Sequence, residues 1–421
     1  MSATPSPRSR RLALGIVLAG FLAFCASLRA PITVLPPIIP LVRSATGLSA
    51  AQAGLLTSIP VLAFGVLTPL AARLLARTGV TRGASIALAA MAAGALLRSA
   101  GSPTALFAGT AILGAGITIG NLVAPMVIGR DFKSRTALVT SLYATALDIL
   151  IAISTATAAP LAAALGWTGA AALWGVLPPL LALVAWMLLY SGRRDGLRAG
   201  IAARAGRAAP APARRTASRS TGATRWPMAW LMAAAFGAHN FCYYSLAAWL
   251  PSILADELHL DATNAGLAGS VFHLLGMVGP LLLPLAFGPL HWSTRRILLT
   301  IAGMWIVMPL GMLLAPAGWL AWSIAGGLAQ GAFFGALFTL VIRRTTTVEQ
   351  NRDVSSLVQT VGYCLAAIGP TAIGAVHDAA GSWRPVFVVL AIVTGLLGLL
   401  CARIASDSRP MPAIGSEGGR R

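Results

Sequence analysis

The sequence predicts an all-α membrane protein with twelve transmembrane helices in two pseudo-symmetric six-helix bundles. Three observations carry that prediction: a composition with very little charge, a one-sided distribution of arginine, and short motifs that recur about 215 residues apart. Of 421 residues, 57% are hydrophobic and 10% charged, with 44 Gly, 26 Pro and a mean hydropathy of +0.80. Soluble domains carry about a quarter charged residues, so a water-soluble enzyme is excluded. A bilayer crossing takes about 20 apolar residues, which leaves no room for a large soluble domain beside a dozen crossings.

In chain order, the apolar stretches cover residues 12–40, 50–72, 82–98, 104–129, 137–161, 169–190, 226–250, 264–287, 297–314, 318–342, 354–377 and 384–403, here spans 1 to 12. Arginine clusters, Gly/Pro turns or acidic loops bound them. The segment Met1 to Arg11 is short, basic and Pro/Ser-rich, and no small-residue cleavage pattern follows it. Span 1 therefore reads as an uncleaved membrane helix. Cys25, Cys242, Cys364 and Cys401 fall in or beside apolar runs without paired spacing, so neither a disulfide framework nor a zinc site is indicated.

Arginine sets the orientation. With the N-terminus cytoplasmic, 27 basic residues fall on the cytoplasmic side and three outside, Arg43, Arg98 and Arg384, with Arg29 inside span 1. The positive-inside rule then puts both termini in the cytoplasm. The net charge of +20 is thus a topological excess, and a nucleic-acid partner is not indicated. Nine of the arginines lie in the Ala-, Pro- and Ser-rich stretch 191–225, which reads as a linker attracted to anionic lipid. It divides the chain into an N-terminal six-helix bundle (1–190), the linker (191–225) and a C-terminal bundle with a short cytoplasmic tail (226–421). Nine tryptophans, among them Trp186, Trp249 and Trp383, sit near span ends, as expected of rings in the headgroup zone.

The two halves echo each other. Leu35-Pro36-Pro37-Ile38 matches Leu250-Pro251-Ser252-Ile253, and Ala53-Gly54-Leu55 matches Ala265-Gly266-Leu267. Gly116-x-x-x-Gly120 matches Gly331-x-x-x-Gly335, and the Trp167 loop matches the Trp383 loop, all in order at offsets of 212 to 216. Two parallel six-helix halves around a midplane site are a transporter architecture.

Only Arg29 in span 1 and Asp148 in span 5 read as charges deep in the membrane, where each costs about 2.5–3.5 kcal/mol on insertion scales. Arg29 offers paired donors suited to an anionic or electron-rich planar solute. It could instead form a structural ion pair with Asp148, or bond the carbonyls that Pro31 frees. Asp148 reads either as a protonation site or as a permanent counter-ion. Polar residues at i, i+4 spacing mark cavity-facing or helix-packing stripes: Gln359 and Tyr363 on span 11, His239 and Tyr243 on span 7, with Asn240 and Tyr244 adjacent. Asn121 and Gln330, on the Gly-x-x-x-Gly helices, read the same way. His377-Asp378 reads as a turn or gate contact, since two ligands do not make a metal site. No nucleotide-binding loop or nucleophile triad is present, and no cofactor is implied.

At span 11, Gln359-x-x-Gly362-Tyr363-x-x-Ala366-x-x-Gly369-Pro370-x-x-x-Gly374-x-x-His377-Asp378-x-x-Gly381-Ser382-Trp383 resembles the cyanate-permease and 2-nitroimidazole-exporter branch of the major facilitator superfamily. Leu28-Arg29-Ala30-Pro31, Gly120-Asn121, Arg130-Asp131-Phe132, Tyr244 with Trp249-Leu250-Pro251, and Gln330-Gly331 extend the resemblance over about residues 12 to 403. In the loop between spans 2 and 3, Arg77, Gly79 and Arg82 fit the superfamily's gating motif, but Ala72 and Ala76 replace its first Gly and its Asp. Thr110 stands where many proton-coupled members carry Arg, and Ala159-Pro160 where antiporters carry Gly-Pro. His239 and His273 occupy positions where the branch commonly has Gln, and His273 joins Asp148 as a proton-coupling candidate.

The resemblance implies a monomeric secondary transporter of a bacterial inner membrane. It would move a small, planar or anionic solute by alternating access, with protons the candidate coupling ion. A broader drug exporter is the alternative within the fold. A membrane-embedded transferase or a non-transporting sensor is the alternative outside it.

Overall fold

The computed structural model describes residues 7–132, 136–191 and 223–406. Among these residues twelve helical spans follow one another near the expected ranges. Local chemistry sets their starts. Ser49 caps Ala50–Val66 in a reciprocal box with Gln52, while Ser102, Asp261, Ser293 and Thr347 each accept a backbone N–H at the heads of spans 4, 8, 9 and 11. Two connections are so tight that helix passes into helix through one glycine. Gly79 (φ 78°) divides span 2 from span 3 within Thr68–Arg98, and Gly166 (φ 73°) divides span 5 from span 6 within Thr136–Ser191. Both need a left-handed φ that only a residue without Cβ adopts freely.

Span 1 is not a continuous helix. It runs as Pro7–Ser27, a stub Ala30–Thr33, a 3-10 turn Pro36–Ile38 and a last helix Ile39–Thr46. Pro31, Pro36, Pro37 and Pro40 supply no N–H, so the i to i−4 ladder cannot close through this stretch. Its repeat partner behaves differently: Leu250-Pro251-Ser252-Ile253 stays inside the unbroken helix Pro227–Leu258, because one proline removes one bond where a doublet and its neighbours remove several. The sequence echo therefore marks equivalent position, not equivalent backbone.

The buried apolar residues fall mainly into two bodies, one from spans 1 to 6 and one from spans 7 to 12 joined by Ile39, Ala50 and Ala53. Large apolar side chains also cover the outside: Leu314 is 80% exposed, Leu188 73% and Leu399 70%. An outward apolar surface on helices with internally satisfied backbones is what a bilayer requires.

Burial corrects two expectations. Arg98 is not an outer-loop cation; it is 1% exposed. Trp186, Trp249 and Trp383 are not headgroup rings but buried side chains, which donate to the carbonyls of Thr81 and Pro370 and to Asp256 Oδ2, respectively. An indole N–H placed between helices finds a protein acceptor there, so proximity to a span end did not imply exposure. Trp230 does remain exposed. Of the expected linker, residues 192–222 lie outside the described residues, as does the tail beyond Ser406.

Candidate functional site

A cavity of about 680 Å³ lies between the two helical bodies. Arg29, Asn121, Asp148, His239, Asn240, Tyr243, Tyr244, Gln330, Gln359 and Tyr363 all line it. A smaller chamber of about 150 Å³ shares four of these residues, Arg29, Asp148, Tyr243 and Tyr244, and adds Thr33, Pro36 and Thr57. The shared four therefore form the partition between a wide vestibule and a narrow one.

The break in span 1 is what presents Arg29. It lies between Ser27 and Ala30, outside either helix, and its carbonyl accepts from the N–H groups of Ile32 and Thr33 at 2.9 and 3.1 Å. The guanidinium sits 5.6 Å from the centre of the Phe64 ring and makes no ion pair among the described residues. Arg29 and Asp148 thus share a cavity without a salt bridge between them in this state. Around them stand four tyrosines. Tyr243 and Tyr244 have ring centroids 4.8 Å apart, Tyr363 meets Phe64 edge-on at 6.0 Å across the two bodies, and Tyr143 lines the same wall.

His239 accepts at Nδ1 from Trp305 Nε1 at 3.0 Å and stacks on Phe333 at 4.2 Å. A ring accepting at Nδ1 carries its proton on Nε2. Asn240 donates to the Phe236 carbonyl at 2.8 Å. Asn121 Oδ1 is buried without a protein donor, an arrangement that leaves it able to accept from a solute. The span 11 stripe extends beyond the two residues expected, since Arg352, Ser355, Ser356 and Thr360 also line the vestibule. Ser355 lies four residues before Gln359, and Arg352, Ser356 and Thr360, themselves four apart, form the adjacent stripe; that spacing was the available signal. Tyr143 and Phe64 carried none, being ordinary aromatic residues in apolar runs.

Other expected residues lie elsewhere. His273 is not among the cavity-lining residues: it is 5% exposed, packed edge-on against Phe272 at 5.4 Å and Tyr243 at 6.3 Å. The resemblance that singled it out gives a position in span 8, not the neighbour that covers its ring. Arg77 and Arg82 are exposed beside the Gly79 turn, away from the cavity lining. At that end Arg130 instead donates to Thr81 Oγ1 at 3.0 Å and pairs with Asp131 at 2.8 Å.

The vestibule reaches Arg352 at the head of span 11; the opposite ends of the spans are shut. There Ser58 meets Thr371 at 3.0 Å, Gly54 lies directly against the Pro370 carbonyl, and Asp378 pairs with Arg43 at 3.3 Å. His377 packs on Trp383 beside this contact, with ring centroids 4.0 Å apart.

The Major Facilitator Superfamily profile matches residues 12–285 and 277–420. The chain is 34% identical over 390 residues to the 2-nitroimidazole transporter of Escherichia coli (strain K12), covering 92% of this chain and 95% of that one. It is 27% identical over 359 residues to the cyanate transport protein CynX of the same organism, covering 85% and 88%. Among solved structures, the D-xylose-proton symporter superposes with a TM-score of 0.71 at 11% identity, covering 95% of this chain and all of that one, a likeness of fold. Twelve spans in two bundles, a polar cavity between them and full-length kinship agree: the chain belongs to the Major Facilitator Superfamily, as a multi-pass secondary transporter of a small solute rather than an enzyme.

Proposed function

We propose that the solute is small, planar, and anionic or electron-rich, that Arg29 holds it, and that Asp148 carries a coupled proton. The observation that bears this reading is Arg29 itself, a cation in a broken span, facing a shared cavity and salt-bridged to no carboxylate among the described residues. A guanidinium without a carboxylate is free to give its paired donors to a ligand, and the surrounding tyrosines supply faces and hydroxyls for a flat one. The relatives named for 2-nitroimidazole and cyanate support the same class.

The vestibule of about 680 Å³ would also suit a larger drug-like molecule, which favours the broader-exporter alternative. The chamber of about 150 Å³ beyond Arg29 argues for the smaller solute. Thermal-shift measurements on the purified protein with 2-nitroimidazole, cyanate and small aromatic carboxylates decide between them. Stabilisation by one of these that Arg29→Ala abolishes is the expected result. Equal stabilisation of Arg29→Ala and wild type would remove Arg29 from the site.

The wider arrangement belongs to the same proposal: a monomer in a bacterial inner membrane, both termini cytoplasmic, bundles at 1–190 and 226–421 joined by a cytoplasmic linker, and no nucleic-acid partner. Given that orientation, the vestibule faces the cytoplasm. Reporter fusions after residues 200 and 260 test it, the first expected inside and the second outside.

A further inference from the structure

We infer that Arg98, at the end of span 3, is a positioning residue that holds the break in span 1 open and thereby aims Arg29 into the cavity. Arg98 is 1% exposed, and its Nη1 donates to the Pro31 carbonyl at 2.6 Å. Nε and Nη2 have no hydrogen-bond partner, and no ion pair engages the residue among the described residues. A guanidinium kept in the membrane on one hydrogen bond has to be explained by what that bond does.

The accepting carbonyl needs this donor. In a continuous helix the Leu35 N–H would reach the Pro31 carbonyl; here it goes to Ile32 at 3.3 Å, and the next two residues are prolines. Without Arg98 the Pro31 carbonyl would be a buried acceptor with no donor, and the cheapest remedy would be to rewind the stub toward a regular helix. Rewinding would carry Arg29, two residues upstream, around the helix axis. On its other side the stub is tied to span 5, the span of Asp148, by Thr33 Oγ1 and Ser154 Oγ at 2.6 Å. Arg98 and Ser154 therefore clamp the stub between spans 3 and 5.

Space for the guanidinium is built in. A Cβ at Gly175 of span 6 would stand 2.7 Å from Ala95 Cβ and 3.2 Å from Arg98 Nη2, so glycine at that position admits both the close approach of span 3 and its guanidinium. The Pro31 carbonyl is thus taken by a different arginine and does not engage Arg29.

This inference rests on the reading of Arg29 as the solute-holding cation, but its test needs no solute. Hydrogen exchange of the full-length protein in nanodiscs is compared for wild type, Arg98→Met and Arg98→Lys. Arg98→Met is expected to speed exchange of residues 32–35 about tenfold, as loss of a hydrogen bond from a charged donor implies, with spans 3 and 4 unchanged. Arg98→Lys, which keeps one donor, should restore most of the protection. In the same samples phenylglyoxal modification of Arg29, followed by mass spectrometry, should change severalfold in Arg98→Met, while exposed Arg77 and Arg82 react as in wild type.

Unchanged exchange at 32–35 with unchanged Arg29 reactivity would overturn the assignment, as would loosening spread equally over spans 3, 4 and 6. Should Arg98→Met not fold, Arg98→Gln, whose neutral donor is weaker and sits two atoms closer to the backbone, is expected to speed exchange of residues 32–35 by a smaller factor than tenfold, and exchange there equal to wild type overturns the assignment. If the stub loosens as expected and yet Arg29→Ala leaves solute binding intact, the solute reading fails while the positioning role stands.

Discussion

Asp378 holds Arg43 across the two helical bodies, Oδ1 accepting from Nη2 at 3.3 Å, while its other oxygen accepts from the backbone N–H of Ala51 at 2.9 Å. One carboxylate on span 11 thus fastens both the last helix of span 1 and the first turn of span 2, where the helix dipole favours negative charge. These contacts sit on the shut side of the cavity, so they stabilise this state and must break for the opposite one.

From this contact, Asp378→Ala is expected to favour the opposite opening. The pair is partly exposed, which limits its worth to about 1 kcal/mol, or about fivefold in population. Thiol labelling of Cys at position 58, in a background without the four native cysteines, reads the change. No acceleration in Asp378→Ala relative to its parent would show that the closure is held by helix packing alone.

Gln359→Ala and Tyr244→Phe test the cavity wall. Each removes one hydrogen-bonding group from the cavity that Arg29 lines, worth about 0.5–1.5 kcal/mol, so affinity for a bound solute should fall roughly twofold to tenfold with the melting temperature nearly unchanged. A lost melting transition would instead assign these side chains to helix packing.

What the sequence made legible follows from how local each signal is. Span positions and the polar stripes on spans 7 and 11 depend on residues within one or two helical turns of each other, whereas the passage of helix into helix at Gly79 and Gly166 appears only in the backbone. Arg98 was missed because a cation ending an apolar run reads as loop, and its buried role depends on Pro31, 67 positions away. The indoles of Trp249 and Trp383 were misread for the same reason, their acceptors lying 121 and 127 positions away. His273 was singled out by the resemblance, which gives a position in span 8 but not what covers the ring, and Tyr243 stands beside it.

Asp261, the cap of span 8, carries a pH signature outside the membrane. The backbone N–H of Asn264, with the Asn264 side chain and the Thr263 N–H, holds its carboxyl below the usual carboxylate range. A carboxyl depressed in the folded state stabilises that state above its unfolded pKa of about 3.9 and loses the contribution as pH falls through the folded value. Asp261→Asn keeps a capping oxygen but cannot titrate. The wild type should therefore be the more stable at neutral pH, and the gap in melting temperature should narrow below about pH 4. A gap that stays constant down to pH 2.5 would mean the depressed carboxyl has no bearing on stability.

Asp148 is the acid that lines both chambers, so it is the natural carrier if a proton crosses with the solute. Asp148→Asn keeps the shape and cannot ionise. Because Arg29 and Asp148 make no ion pair here, the substitution strands no salt-bridge partner, and the variant is expected to fold with a melting temperature close to wild type. Accumulation driven by an imposed pH gradient should be abolished, while solute exchange between the two sides of a liposome should persist, since exchange requires no net proton release. A variant that failed to fold, rescued by the swap Arg29→Asp with Asp148→Arg, would restore the counter-ion role. Full gradient-driven uptake in Asp148→Asn would end the coupling role, and the next group to test would be His239, whose ring lines the same vestibule and already exchanges a hydrogen bond with Trp305.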